Sequence, residues 1–322
     1  MEIFKGTKVH DFMGKRIPFL GLSAVLVIVS LVLLFTRGLN FGIDFAGGTL
    51  VQVQYEHKAP IDKIRTVLNS TEYKGSSITK FGSDEEVVIR ISGVSSNLAN
   101  DIGDEMHKLL DSTGKFEIRR VDMVGQRVGG ELREKGIMAL SLSLIVILIY
   151  VSYRFEWRFA IASILALAHD VIIALGAISL VGVEVNLDIL AAILTILGYS
   201  LNDTIIVFDR IREGVQTSKE SVLNSVVNSS VSRTLSRTTL TSLTTFFVVA
   251  TLYFFGGEII NGFAFTLLVG IIVGTYSSIF IAASFLVQLR FSIESFRAKE
   301  AEKVKRQKEK EKLRAMYEKG TV

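Results

Sequence analysis

The sequence predicts a polytopic α-helical membrane protein with six transmembrane helices and one α+β ferredoxin-like (βαββαβ) external domain between helices 1 and 2. Three observations carry this. Hydrophobic residues make up 49% of the 322 positions and mean hydropathy is positive, beyond what a soluble domain of ordinary charge content needs. Six apolar runs are each long enough to cross the ~30 Å hydrocarbon core as a helix. Between the first two, over residues 38–134, hydropathy falls to that of a soluble domain. With two prolines and no cysteine, a disulfide framework, a thiolate nucleophile and a Cys-based metal site are all excluded.

Residues 1–16 carry Lys5, Lys8, Lys15 and Arg16 ahead of an uncharged run, Ile17 to Thr36. That run has the length of a span, where a signal-peptide core has roughly 7–15 residues, and no small-x-small cleavage pattern follows it. An uncleaved first helix over 17–36 is therefore expected, behind a cytoplasmic segment 1–16. In that segment Phe4, Val9, Phe12 and Met13 suit a stretch lying on the membrane surface, with a disordered basic leader as the alternative.

Within 38–134, Val51, Val53 and Tyr55 alternate with Leu50, Gln52 and Gln54 as in a strand. Ile61, Ile64, Val67 and Leu68 repeat at helical spacing. Ile78–Gly82 and Val87–Ile91 read as strands around a turn at Ser83–Glu86, Leu98 to Leu110 as a second helix, and Phe116–Met123 as a closing strand. The order βαββαβ suits a split βαβ sandwich with helices on one face of a small sheet. Nothing in it suggests catalysis: there is no metal-type His pair, no phosphate loop and no paired carboxylates.

Five further runs, about 136–153, 159–181, 186–208, 238–255 and 262–287, complete the bundle over 136–287. Short loops set orientation. Arg154 and Arg158, then Arg210, Arg212, Lys219, Arg233 and Arg237, crowd two of them, whereas 182–185 and 256–261 hold no Lys or Arg. Both termini are thus expected in the cytoplasm and the 38–134 domain outside. The tail, 290–322, has eleven Lys or Arg against six Glu and reads as a charged helix with Glu302 and Arg306 paired. Its surplus charge suits anionic lipid or ribosomal RNA; a solvated tail that fixes topology is the plainer reading, and no nucleic-acid partner is expected.

Inside the apolar runs, polar side chains are costly. A mid-helix Asp costs roughly 2.5–3.5 kcal/mol, so it faces a bundle interior or wet cavity and has a partner. Asp203, with Asn202 beside it, lies about 8 Å to the cytoplasmic side of the middle of the fourth span at ~1.5 Å rise per residue. Arg237, at the cytoplasmic start of the fifth, is its expected partner, and Arg233 the fallback. A carboxylate whose guanidinium partner moves away loads and releases a proton; a static salt bridge is the competing reading. His169 and Asp170, mid-span in the third run, are candidates for a relay or for helix packing. As neighbours about 100° apart on a helix they are not expected to pair with each other. Asp188 is expected at headgroup level, or else at a channel mouth. Gly270 and Gly274 form a GxxxG that suits internal packing, and Gly198 precedes the polar part of span four. No G-x-x-x-x-G-K-S/T occurs, which argues against an ATP motor, and no catalytic constellation or metal site is expected.

FGIDFAGGT (41–49), VGQRVGGEL (124–132), LAHD (167–170), GYSLNDTIIVFDRIRE (198–213), SRTTLTS (236–242) and FFGG (254–257) together resemble the SecD/SecF family of the RND superfamily. The resemblance covers 15–289 and departs at Gln126, where the family usually has Pro. It implies a six-span, proton-driven helper of protein export in the bacterial inner membrane, with SecD, the SecYEG channel and a translocating preprotein as partners. The coupling ion is the proton, with no other cofactor. The family's functional Asp and Arg fall on Asp203 and Arg237, and a third carboxylate would come from SecD. An RND-type proton-coupled exporter of a small molecule or lipid, and a passive scaffold for a channel, are the alternatives.

Overall fold

The structure is a computed structural model; it describes residues 9–92, 99–218 and 220–318. Phe4, Lys5, Lys8, Leu98 and Lys219 lie outside the described residues. Six helices are long and apolar enough to cross a membrane. In chain order these are α1 (Arg16–Thr36), α5 (Gln126–Arg154), α6 (Trp157–Val181), α7 (Leu187–Thr217) and α8 (Leu223–Phe255), followed by a last span in three pieces. That last span begins as α9 (Glu258–Ser277), passes through a π-helical turn (Ser278–Ala282) and ends as α10 (Ala283–Gln288). The chain closes with the charged helix α11 (Ile293–Glu318).

Burial divides the spans into two kinds. α6, α7 and α9 form the inside of the bundle, while α1, α5 and α8 turn most of their apolar side chains outward, as helices bathed in lipid do. Small residues set the close approaches. A Cβ on Gly270 would meet Ile196 Cγ1 at 2.2 Å, one on Gly274 would meet Ser200 Cβ at 3.0 Å, and one on Gly176 would meet Ser30 Cβ at 2.3 Å. The GxxxG thus packs internally, α9 on α7. Gly198, by contrast, has nothing within 4 Å of its would-be Cβ and is no contact point.

The polar insert holds β1 (Asn40–Phe41), α2 (Ile43–Ala46), β2 (Gly48–Tyr55), α3 (Ile61–Asn69), β3 (Ser77–Phe81), β4 (Ser83–Ser92), α4 (Ala99–Leu110) and β5 (Phe116–Val124). Its four-stranded antiparallel sheet has the order β3-β4-β2-β5, with Val51 opposite Ile89 on one side and Val121 on the other. One face is covered: Val51, Val53, Tyr55, Ile89 and Ile91 pack on Ile64, Leu68, Ile102, Met106 and Leu110 of the two helices. The β3–β4 turn falls at Gly82, at φ +76°, and not at the expected 83–86. Only a residue tolerant of the left-handed region makes so tight a turn, and Ser83–Glu86 are free to continue the ladder.

Three boundaries differ from expectation. α5 starts at Gln126, ten residues before the apolar run, so the sheet's last strand feeds directly into a span. α7 continues to Thr217 and α8 begins at Leu223, making a helical pair where a charged loop was expected. Neither expectation for the leader fits residues 9–15: Met13 is 2% exposed in a core shared with Val215 and Val226, and Asn228 Oδ1 accepts from the backbone N–H of Phe12 and Met13 at 3.0 and 2.9 Å. A short parallel pair, β1 with β6 (Glu184–Val185), was also not foreseen, and it ties the start of the insert to the α6–α7 loop.

Candidate functional site

α7 is fastened at its N-terminal end by two side-chain oxygens, one carboxylate and one amide, that satisfy its first free N–H groups. Asn186 Oδ1 accepts from Ile189 at 3.0 Å and Asp44 Oδ2 accepts from Leu187 at 3.1 Å. From there a buried stripe at helical spacing runs Ile189, Ala192, Ile193, Ile196, Ser200, Asp203, Val207, Ile211. Asp203 is 1% exposed on that stripe. Its Oδ2 accepts a hydrogen bond from Ser242 Oγ of α8 at 3.2 Å, and Thr275 Oγ1 of α9 stands 2.8 Å from the same Ser242 oxygen. Three helices therefore meet at one carboxylate.

Asp203 and Arg237 are not in ion-pair contact: among the described residues Asp203 has no salt bridge, and Arg237 and Arg233 are exposed on α8. The reason is position along the helix. Ser242 lies five residues further along α8 than Arg237, about 7.5 Å along the axis, so the hydroxyl meets the carboxylate and the guanidinium stays nearer the start of α8.

The expectation that His169 and Asp170 do not pair is corrected. His169 Nδ1 and Asp170 Oδ1 are 2.9 Å apart, with Asp170 fully buried and His169 7% exposed. Their Cβ atoms diverge, but two side-chain torsions on each let the ring swing back to one carboxylate oxygen while the other points inward. That inward Oδ2 accepts from Ser200 of α7 at 2.5 Å and Ser277 of α9 at 2.8 Å. Asn202 is exposed and joins neither cluster. Asp188, in the first turn of α7, lines a crevice of about 710 Å³ between the uncovered sheet face and the N-terminal ends of α7 and α9.

The same crevice holds Arg90 of β4 and Glu184, paired at 3.2 Å, with Arg90 Nη1 donating to Thr79 at 2.8 Å. Burial pushes the Glu184 carboxyl above its usual value; Arg90 pulls it down and Asp44 pushes it further up. No group of His, Asp or Glu side chains among the described residues could hold a metal. Ser200, Ser242, Thr275 and Ser277 were not singled out from the sequence. Their signal is there: hydroxyls in apolar spans, two of them within a turn of a carboxylate or on the helix facing it.

Six spans around hydrogen-bonded carboxylates, with a sheet-bearing insert after the first, define a polytopic membrane protein with a polar core. The profile of the family described as "Protein export membrane protein SecD/SecF, C-terminal" matches residues 105–292, and that of the "SecD/SecF GG Motif" matches 32–59. The chain belongs to the SecD/SecF family. It is 46% identical to a protein translocase subunit SecF of Helicobacter pylori over all of both chains, and 38% identical to one of Escherichia coli O157:H7 over 94% of each. It is also similar to the crystal structure of SecDF, a translocon-associated membrane protein, from Thermus thermophilus, with a TM-score of 0.79 and 36% identity over 88% of this chain. A second SecDF structure, in a super-membrane-facing form, gives 0.69 and 35%. This chain spans 39% and 41% of those two, so it matches only part of the SecDF polypeptide.

Proposed function

We propose that this chain is an auxiliary subunit of Sec protein export that works with SecD beside the SecYEG channel, using the proton gradient to promote preprotein translocation and release on the external side. The observation that carries it is Asp203, a carboxylate buried in a span and held across α8 and α9 by one hydroxyl. Protonation removes the charge that Ser242 and Arg237 face, and the three helices then repack. The coupling residues are Asp203 and Arg237. On this reading 38–134 is an external ferredoxin-like domain, both termini are cytoplasmic, and movement of the bundle reaches the domain through β1, β6 and α5.

Asp203→Asn tests it in inverted membrane vesicles containing the assembled complex. Proton-gradient-dependent export falls to the level of vesicles without the subunit, while the amount of protein and its co-purification with SecD are unchanged. Normal export by the variant, with or without a gradient, overturns the reading.

A further inference from the structure

The bundle contains a second buried carboxylate that the scheme above does not use. Asp170 takes three hydrogen bonds from three directions: His169 on its own helix, Ser200 on α7 and Ser277 on α9. Two of these helices also build the Asp203 site. Along α7, Ser200 and Asp203 are three residues apart, about 4.5 Å of axial rise; along α9, Ser277 and Thr275 are two apart, about 3 Å. Both nodes therefore sit at one level of the α7–α9 seam, Asp170 entering from α6 and Ser242 from α8.

The seam is built for a defined offset. Gly274 lets α9 approach until its would-be Cβ is 3.0 Å from Ser200 Cβ, and Gly270 does the same against Ile196 one turn away. A π-helical turn starts directly after Ser277, at Ser278, and such turns break the α-helical hydrogen-bond ladder at places where a helix shifts its phase. His169 Nε2 is buried without a hydrogen-bond partner, so the ring is held by its hydrogen bond to Asp170 and by its tilted packing, 6.3 Å between centroids, on Tyr276 of α9.

We propose that Asp170 is a positioning residue for the coupling site: through Ser200 and Ser277 it fixes the offset of α7 against α9 at which Asp203 receives its hydrogen bond from Ser242. The proposal rests on the reading of Asp203 given above. The titratable or charged side chains nearest this level are His169 on α6, Tyr199 and Asp203 on α7 and Tyr276 on α9, with Arg237 exposed five residues before Ser242 on α8; α1 has none from Ile17 to Thr36. A slip of α7 along α9 changes both nodes at once, leaving Ser277 Oγ the backbone carbonyl of Gly274, 3.1 Å away, in place of the carboxylate.

The test is labelling by dicyclohexylcarbodiimide, which reacts with protonated carboxyl groups in apolar surroundings, on the full chain with its partner in membranes. Adduct at the peptide carrying Asp203 is followed against pH by mass spectrometry. In the Ser200→Ala, Ser277→Ala double variant, which removes two hydroxyls and adds no bulk, the midpoint at Asp203 moves by about 0.5 pH unit or more, the scale of one altered hydrogen bond to a carboxylate. Asp170→Leu moves it further. Asp170→Asn keeps an acceptor for both serines and stays closer to the wild-type profile. Unchanged protein levels with a shifted midpoint support positioning; an unmoved midpoint in the double variant and in Asp170→Leu overturns it. Labelling needs no export, so this outcome is separate from that of Asp203→Asn, whose normal export would remove the proposed function but not the register.

Discussion

The Arg90 guanidinium, on a strand of the four-stranded sheet, lies 3.2 Å from the Glu184 carboxylate, three residues before the helix that carries Asp203. Both side chains are about three-quarters buried, and the backbone beside them is stitched by the β1–β6 pair and by Gly42 N–H donating to Val185 O at 2.9 Å. The sheet and the bundle are thus joined where a small displacement of one reaches α7 directly.

A pH dependence follows from Glu184. Its carboxyl is raised when docked, by burial first, so the docked state holds a proton more tightly than the undocked one. The stabilisation this gives to docking is full below the ordinary glutamate value and is lost as pH rises through the raised one. Amide exchange at Phe41 and Val185, corrected for intrinsic rates, is therefore expected to be slower at about pH 4.5 than at about pH 7.5. Glu184→Gln should flatten the difference. Slower exchange at the higher pH in the unaltered protein would show that the Arg90 pair outweighs burial.

The junction between insert and α5 offers a test by neighbouring glycines. A Cβ on Gly129 would stand 2.8 Å from the Gly47 backbone nitrogen, whereas one on Gly130 meets nothing within 4 Å. Gly129→Ala should lower stability by about 1–3 kcal/mol through overpacking against backbone that cannot move aside. Gly130→Ala should be neutral or gain up to about 1 kcal/mol from helix propensity. Thermal unfolding midpoints in detergent measure both, and equal effects would refute the close approach.

Much of this architecture was legible in the sequence because apolar length and period-2 alternation report burial directly. Val51, Val53 and Tyr55 are the covered face of β2 as their alternation predicts, and the Glu302–Arg306 pair forms at 2.7 Å. What was not legible depends on side-chain reach and on partners far along the chain. Adjacent positions on a helix suggested that His169 and Asp170 stay apart, yet rotamers closed the gap. Proximity at a span's start suggested Arg237 for Asp203, yet a serine five residues deeper is nearer the carboxylate. Helix ends were misplaced because α7 and α8 leave the apolar run as amphipathic helices that bury Ile211, Val215, Val226 and Val231 against each other.

The α7–α9 seam predicts a rescue. Gly270→Ala places a methyl where Ile196 Cγ1 now sits, at 2.2 Å, and should cost about 1–3 kcal/mol. Shrinking the partner by Ile196→Ala alone opens a cavity and costs about 2–5 kcal/mol, but the two together should cost less than their sum, because the new methyl fills space that Ile196 vacates. Unfolding midpoints of the four proteins give the coupling; strict additivity would mean the helices are further apart than 2.2 Å implies.

Arg297 joins the tail to the bundle by donating to three backbone carbonyls at the end of α7: Val215 at 2.7 Å, Ser218 at 2.5 Å and Glu220 at 3.1 Å. Val215, in the last turn, and Ser218, the C-cap, offer acceptors that a helix C-terminus leaves without partners, and the charged donor compensates them where Gly or a Schellman turn otherwise would, while Glu220 lies just past the helix. Hydrogen bonds to a charged group contribute about 1.5–3 kcal/mol, so Arg297→Ala should speed amide exchange over residues 214–218 by at least about tenfold. Arg306→Ala removes only an exposed pair with Glu302 worth about 0.3–0.5 kcal/mol and should leave that segment unchanged. Equal exchange in both variants would mean that the C-terminal end of α7 is held by its apolar contacts with α8, with the guanidinium contributing nothing.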